Sequence, residues 1–238
     1  MRAVLFSTLS NFIFAKLVML RIDENLRNYK TAFITCVLFF VIAMVFVLIN
    51  GKTGSFLLIN HNNHPSLDVF FTYATYFGDG FIYIPVLLYA IIFNRKFFIP
   101  VLAGVIICTL LAQGMKRFVF PDELRPISLE AQNIIIHKIE GQNVYRHNSF
   151  PSGHTSTAFT MALLFASILQ RRIWAFVLPG IAILVAYSRV YLGQHFVTDI
   201  AGGAAVGIIA SYLSLWIYQY YLLKKEHKTI AEKDHIPL

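Results

Sequence analysis

The chain has 238 residues, of which 57% are hydrophobic and 13% are charged, and its mean hydropathy is +0.64. These values exclude an ordinary soluble globule, in which about a quarter of the residues are charged, and they indicate an integral membrane protein. The net charge of +8 fits contact with anionic lipids rather than with nucleic acid, because basic and aromatic residues do not alternate along a soluble groove.

The first 30 residues are predicted to form a cytoplasmic or interfacial N-terminal segment. Residues 1–20 are apolar but interrupted by Lys16, and they lack a small-residue cleavage site before the charged stretch from Arg21 to Lys30. This pattern favours an interfacial helix over a signal peptide. Met19 is an alternative start of the chain.

Residues 31–223 are predicted to form one all-α domain with six membrane-spanning helices, because a span needs about 20 mostly apolar residues. The predicted spans are 31–49, 77–93, 97–115, 153–170, 173–187 and 199–222. In the last span, Gly203 and Gly207 favour close packing against another helix of the same chain rather than against a second chain. Residues 224–238 are predicted to be a cytoplasmic tail.

The placement of the basic residues predicts the orientation in the membrane. With both termini in the cytoplasm, 13 of the 20 Lys and Arg residues lie inside and seven lie outside, in agreement with the positive-inside rule. The outer seven are Lys52, Lys116, Arg117, Arg125, Lys138, Arg146 and Arg189. The outer segments are then 50–76, 116–152 and 188–198. The long middle segment is predicted to be a lid or a short amphipathic helix, with a flexible surface loop as the alternative.

A polar motif, Pro151-Ser152-Gly153-His154, stands at the start of the fourth predicted span. Ser152 is a favourable helix N-cap. The backbone N–H groups of Ser152, Gly153 and His154 are expected to be free at the positive end of this helix, where anions bind readily. The motif therefore predicts an anion site with His154 beside it.

A second polar motif surrounds His195 and Asp199, which are four residues apart and can share one face of a helix. The carboxylate can accept the ring N–H of His195 and leave the other ring nitrogen free to attack phosphorus. Arg189 offers planar, bidentate donors for phosphate oxygens, and Lys116 and Arg125 add two more cations. Ionisable groups this close to a membrane core are usually functional. A purely structural Arg-His-Asp network is the alternative.

Taken together, the motifs resemble the three-part signature of the type 2 phosphatidic acid phosphatase superfamily, which includes undecaprenyl-diphosphate phosphatases, lipid A phosphatases and, more distantly, vanadium haloperoxidases. The resemblance rests on Lys116-x8-Arg125-Pro126, Pro151-Ser152-Gly153-His154 and Ser188-Arg189-x5-His195-x3-Asp199. The second and third parts match in full. The first part usually has six residues between Lys and Arg, so Arg117 is an alternative to Lys116.

The resemblance implies the helical bundle of that superfamily and a role for each motif residue. It implies that His195 is the nucleophile that forms a phosphohistidine, that Asp199 orients it, and that His154 protonates the leaving oxygen and later activates water. The groups implied to hold the phosphoryl oxygens are Lys116, Arg125, Ser152, the Gly153 backbone and Arg189. Phosphoryl transfer depends mainly on in-line positioning and charge stabilisation, so no metal or other cofactor is expected.

The expected function is hydrolysis of the terminal phosphate of a membrane lipid phosphate or diphosphate at the outer face of a bacterial inner membrane. Undecaprenyl diphosphate is the leading substrate, followed by phosphatidic acid, phosphatidylglycerol phosphate and lipid A phosphates. The alternatives are a lipid phosphotransferase that uses the same intermediate and a non-catalytic lipid-phosphate binder or transporter.

Four further histidines and one acid are weaker candidates for the site. His61, His64 and Asp68 have a spacing that suits a metal ion, but the Asn and Pro residues among them favour an exposed turn. His137 and His147, in the long outer segment, are interpreted as surface residues or as contacts to the substrate headgroup.

Overall fold

The computed structural model describes residues 2–93, 95–139, 141, 145–169 and 171–234, with the side chains of those between 26 and 224. This part of the chain is helical without strands, which confirms the all-α prediction. The helices are α1 (Arg2–Asn60), α2 (Pro65–Ala74), α3 (Tyr83–Phe93), α4 (Arg95–Gly114), α5 (Gly153–Ala166), α6 (Trp174–Tyr191) and α7 (Val197–Asp234). Short 3₁₀ turns span Thr75–Gly78, Gly80–Ile82 and Pro126–Gln132, and a π-helical turn spans Met115–Val119.

Helix α5 lies at the centre of the bundle, in contact with α1, α4, α6 and α7. Its residues are buried without a break from Thr155 to Leu164. The hydroxyl groups on this helix bond to its own backbone: Ser156 Oγ donates to the Ser152 carbonyl at 2.9 Å, and Thr160 Oγ1 donates to the Ser156 carbonyl at 2.8 Å. Because these hydroxyls are satisfied locally, a partly polar helix can occupy the centre of the bundle.

Two glycines of α7 allow this helix to pack directly on α5. A Cβ atom at Gly207 would lie 2.5 Å from Phe159 Cβ, and one at Gly203 would lie 2.7 Å from the Ser152 carbonyl oxygen. The prediction that these glycines serve packing within the chain is confirmed. The close contact fixes the separation between the N-terminal ends of α5 and α7, which carry His154 and the region of His195.

The apolar outer faces of the bundle identify a multi-pass membrane protein. Large side chains such as Ile42, Leu48 and Leu110 are more than 60% exposed, and an apolar surface this extensive requires lipid. Four described segments are long and apolar enough to cross a membrane, namely Leu26–Asn60, Arg95–Val119, Trp174–Tyr191 and Val197–Lys224. A fifth is added if Pro65–Gly78 and Gly80–Phe93, which are bent by 52°, count as one span.

The helix bounds differ from the predicted spans in three places. α1 passes residue 30 without a break and continues to Asn60, with a non-helical φ of 71° and ψ of 170° at Gly51. The predicted span 77–93 is broken at Asp79, because a charged residue between two glycines interrupts the apolar run. α5 has only 14 residues, or about 21 Å of helix, which is less than the roughly 30 Å of a bilayer core.

Candidate active site

A polar cavity of about 800 Å³ lies where the C-terminal ends of α4 and α6 meet the N-terminal ends of α5 and α7. Most of the residues predicted for the site line this cavity: Lys116, Arg125, Gly153, His154, Arg189 and His195. The other two, Ser152 and Asp199, are buried beside lining residues. The structure therefore brings three distant stretches of sequence to one place.

His195 lies in the turn between α6 and α7 and is only 2% exposed. Its Nδ1 is 3.3 Å from Oδ2 of Asp199. The same carboxylate oxygen accepts hydrogen bonds from Ser149 Oγ at 2.5 Å and from the Phe196 backbone N–H at 2.9 Å. Ser149 was not predicted from the sequence. These bonds hold the carboxylate in place, so that it orients the imidazole and leaves Nε2 available for chemistry.

The surroundings of His195 keep its imidazole neutral. Burial, and then the charges of Arg125, Arg189 and Lys116, lower the pKa of His195 well below its usual range. A neutral imidazole has a free lone pair, which a nucleophile requires. Burial also lowers the pKa of Arg125, but a guanidinium stays charged because its starting pKa is so high.

Lys116 and Arg125 are held by backbone carbonyl groups. Lys116 Nζ donates to the Asn148 carbonyl at 2.8 Å. Arg125 Nε donates to the carbonyl of His147 at 3.1 Å, and its NH1 donates to the carbonyl of Gln194 at 3.2 Å. None of these acceptors carries a full negative charge, so both cations keep most of their charge for an anion in the cavity.

Lys116 and Arg117 also differ in their burial. Lys116 lies in the π-helical turn Met115–Val119 and is 9% exposed, whereas Arg117 is exposed at the edge of the cavity. Single π-helical turns occur frequently at functional sites because the extra residue changes the direction of the following side chains. Here the π-helical turn carries both Lys116 and Arg117, and it ends the helical segment that begins with α4.

Arg189 has donor capacity that the protein itself leaves unused. It lies near the C-terminal end of α6, and its NH1 donates to Thr75 Oγ1 at 2.8 Å. Its buried Nε has no hydrogen-bond partner among the described residues. A buried guanidinium N–H without a partner is costly, and an oxyanion in the cavity would satisfy it.

The start of α5 agrees with the sequence prediction in one respect and differs in another. Ser152 is the N-cap, as predicted, and its Oγ accepts from the backbone N–H of Thr155 at 3.4 Å and from Thr155 Oγ1 at 3.0 Å. However, the Ser152 N–H donates to the Asp199 carbonyl at 2.9 Å, so the prediction that this group is free is wrong. The N–H groups of Gly153 and His154 lie in the first turn, where a helix supplies no acceptor.

Asp79 is a charged neighbour of the site that sequence reasoning missed. Its Oδ2 lies 3.7 Å from Nε2 of His154. A Cβ atom at Gly78 would lie 2.6 Å from the His154 carbonyl oxygen, so the break between α2 and α3 passes directly against the start of α5. The sign of this residue in the sequence is its position between Gly78 and Gly80, as a single acid in an otherwise apolar run.

The long segment 116–152 is anchored to the bundle by Asn60, the last residue of α1. Asn60 Nδ2 donates to the His137 carbonyl at 2.9 Å, and Asn60 Oδ1 accepts from the His137 N–H at 2.7 Å. The imidazole of His137 pairs with Asp68 at 2.8 Å, and Asp68 also accepts from the Tyr191 hydroxyl. His137 is therefore a half-buried structural contact, whereas the sequence predicts a surface residue or a contact to the substrate headgroup.

His61 and His64, in the segment 50–76, serve local structure. His64 Nδ1 accepts from the Ser66 N–H and caps α2, and His61 Nε2 lies 2.9 Å from the Ile135 carbonyl oxygen. Across the described residues, no three His, Cys, Asp or Glu side chains are grouped so that they could hold a metal ion.

Fold and site together define a membrane-embedded enzyme with a cationic cavity and a buried His-Asp pair. Phosphoryl transfer needs such cations to stabilise charge and an oriented group beside phosphorus. The sequence profile of the type 2 phosphatidic acid phosphatase (PAP2) superfamily matches residues 97–222, which is more than half of the chain. The chain belongs to this superfamily, and it is a phosphatase that hydrolyses phosphoric monoesters or diphosphates.

Individual relatives support this assignment. The chain is 29% identical to a lipid A 4′-phosphatase of Porphyromonas gingivalis over 73% of its own length and 75% of the relative. It is 28% identical to an undecaprenyl-diphosphatase of Sulfolobus acidocaldarius over 81% of its own length and 93% of the relative. The crystal structure of Aquifex aeolicus LpxE is similar, with a TM-score of 0.59 and 34% identity, over 69% of this chain and 94% of that one.

Proposed function

We propose that the protein is a lipid phosphatase that removes the terminal phosphate of a lipid phosphate or diphosphate through a phosphohistidine on His195. The observation that carries this proposal is a buried imidazole, backed by Asp199 at 3.3 Å, in a cavity that also holds Lys116, Arg125 and Arg189. A non-catalytic binder would need the cations alone. The His-Asp pair in addition supplies the oriented, neutral imidazole that an attack on phosphorus requires.

In the proposed mechanism, Nε2 of His195 attacks phosphorus as the bond from phosphorus to the leaving oxygen breaks. His154 gives a proton to the leaving oxygen. In the second half-reaction His154 removes a proton from a water molecule, the resulting hydroxide attacks phosphorus, and the bond to His195 breaks to release inorganic phosphate. Lys116, Arg125 and the unsatisfied Nε of Arg189 stabilise the charge on the three equatorial oxygens in both steps.

The N-terminal end of α5 is proposed to complete the phosphate site. The N–H groups of Gly153 and His154 lie at the positive end of the helix and are suited to bind a phosphoryl oxygen. Ser152 contributes by holding the first turn in place through Thr155, and because its oxygen is the acceptor in both of its bonds to Thr155, its own O–H is still available as a donor. The burial of Lys116 supports its assignment, rather than that of Arg117, to the first motif.

The substrates proposed are undecaprenyl diphosphate, lipid A phosphates, phosphatidic acid and phosphatidylglycerol phosphate. Relatives that act on two of these classes are equally similar to the chain, at 29% and 28% identity. What these substrates share is a phosphate at the membrane surface on a long apolar anchor. The apolar outer faces of the bundle are suited to receive that anchor from the bilayer.

We further propose six spans in an inner membrane, with both termini in the cytoplasm. Helix α5 is the sixth crossing, and its shortness is tolerable because it is surrounded by other helices rather than by lipid. Its polar end can then be reached by water from the outer side without exposing backbone to hydrocarbon.

Phosphate release is the direct test of the proposed function. The purified protein in detergent should release inorganic phosphate from at least one of the four lipid classes, without an added acceptor alcohol. Because cationic side chains supply the charge stabilisation, we expect activity to persist in saturating chelator and to be inhibited by vanadate, which mimics five-coordinate phosphorus. Release that depends on an acceptor would indicate a phosphotransferase, and complete loss in chelator would indicate a metal requirement.

The sidedness of the site is tested by cysteine labelling in cells. With Cys36 and Cys108 replaced, a cysteine at exposed Gln132 should react with an impermeant thiol reagent in intact spheroplasts. A cysteine at exposed Arg172, at the other end of the bundle, is the matched control and should react only after lysis. The reverse pattern would place the cavity in the cytoplasm and change the leaflet on which substrates are found.

A further inference from the structure

The geometry points to Asp79 as a positioning residue that holds His154 and favours its protonated form, and so makes the enzyme effective on esters whose leaving oxygen needs a proton. This inference rests on the proposed function, in which His154 is the general acid. It adds a residue from outside the three sequence motifs.

The charges around His154 show why such a partner is needed. The cavity it lines contains Lys116, Arg117, Arg125 and Arg189. Each of these cations disfavours a second positive charge nearby and so opposes protonation of the imidazole. The carboxylate of Asp79, 3.7 Å from Nε2, acts in the opposite direction. Burial of the imidazole opposes its protonation as well, and the carboxylate of Asp79 counteracts part of this combined effect.

The separation of 3.7 Å suits a charge partner better than a hydrogen-bond partner. It exceeds the usual range for a direct N–H to oxygen hydrogen bond, so the carboxylate does not fix the transferable proton on itself. Both side chains are about 30% exposed, and their interaction is therefore only partly screened by water. Asp79 does not line the cavity, so its effect must pass through His154.

Local structure holds Asp79 firmly in this place. Its Oδ1 accepts from the Phe81 N–H at 3.0 Å and caps the turn that leads into α3. On its other side, Gly78 packs against the His154 carbonyl, where any larger residue would collide. One carboxylate oxygen is thus used for capping while the other faces the imidazole.

The two catalytic histidines would then each have a carboxylate, with different consequences. Asp199 is buried, its Oδ2 has three donors around it, and it orients a His195 that stays neutral. Asp79 is half-exposed and stands at a longer distance from a histidine that must carry a proton. In the proposed mechanism the nucleophile must start neutral and the acid must start protonated, and Asp79 acts on His154 in the direction that its role requires.

The test compares Asp79→Asn with the wild type on two esters in the same detergent. An asparagine keeps the cap, because Asn and Asp are equally good in that role, and it removes only the charge. With the lipid phosphate that the wild type hydrolyses, we expect kcat to fall on the order of 10- to 100-fold while KM changes little. With p-nitrophenyl phosphate, whose leaving group needs no proton, we expect a change of less than about threefold.

Two further variants keep the result interpretable. Asp79→Glu retains the charge and should recover much of the activity that Asp79→Asn loses on the lipid phosphate. Asp122→Asn removes an exposed carboxylate outside the cavity and should leave both rates unchanged. Equal losses on the two esters, or no loss on either, would overturn the role of Asp79 while an active wild type upheld the phosphatase. An inactive wild type would overturn both proposals.

Discussion

Replacement of His195 by alanine is expected to abolish phosphate release, with a loss of at least roughly 10⁴-fold in kcat, because no other described side chain can take over the attack on phosphorus. The imidazoles of His147 and His154 also line the cavity, but among the described residues neither has a buried carboxylate partner like the one that orients His195. The measurement is single-substrate phosphate release by purified protein. The variant should still purify as a folded membrane protein, since among the described residues the His195 side chain is hydrogen-bonded to Asp199, only four residues along the chain.

The covalent intermediate gives the same prediction a second readout. Rapid acid-free quenching with radiolabelled substrate should leave phosphate on the wild-type protein in an acid-labile, base-stable form, and none on His195→Ala. His61→Ala is a suitable control, because His61 is exposed and outside the cavity. Substantial turnover by His195→Ala would remove the proposed mechanism while leaving the membership of the superfamily untouched.

The lowered pKa of His195 adds an expectation about pH. A group whose pKa is lowered in the folded protein stays neutral to lower pH than it does in the unfolded chain. Protonation of the nucleophile should therefore not limit the hydrolysis of p-nitrophenyl phosphate between about pH 7 and pH 5, across the ordinary range of histidine. A fall in kcat/KM centred near pH 6.5 would show that His195 titrates as an exposed imidazole.

Much of the site could be predicted from sequence because its parts lie at helix ends on one side of the membrane. Lys116 lies in the π-helical turn just after α4, His154 lies in the first turn of α5, Arg189 lies in the last turn of α6, and Asp199 lies in the first turn of α7. In an antiparallel bundle with alternating spans, these ends must meet. Once the spans were assigned approximately, the convergence of the charged residues followed without knowledge of the packing.

What could not be predicted depends on contacts between segments that are not adjacent in sequence. The hydroxyl of Ser149 reaches Asp199 only because the end of the long outer segment folds against α7. Asp79 reaches His154 only because Gly78 allows two backbones to touch. Neither residue has a local pattern that separates it from an ordinary loop serine or helix cap.

The lengths of the spans show a different limit. Hydropathy measures how well a segment suits lipid, but α5 is surrounded by protein and does not need to match the bilayer. Its predicted end at residue 170 was therefore set by apolar composition, whereas the helix ends at Ala166. The side-chain N–H of Asn28, in α1, donates to the Leu169 carbonyl at 2.7 Å. The chain therefore contacts α1 just after α5 ends.

Replacement of His154 by alanine is expected to reduce hydrolysis of a lipid phosphate by roughly 10²- to 10⁴-fold, the usual contribution of a general acid. The physical reason is that an alkoxide or lipid-phosphate leaving group is a poor one unless it is protonated as the bond to phosphorus breaks. The residual rate should exceed that of His195→Ala, because the nucleophile and the cations remain in place.

The leaving group separates this role from a role in binding. p-Nitrophenolate leaves without a proton, so His154→Ala should lose much less activity on p-nitrophenyl phosphate in the first half-reaction. Because His154 is also proposed to activate water in the second half-reaction, this variant should accumulate the phosphohistidine and show a burst of p-nitrophenol followed by slow turnover. Equal losses on both esters without a burst would mean that His154 holds the phosphate rather than transferring a proton.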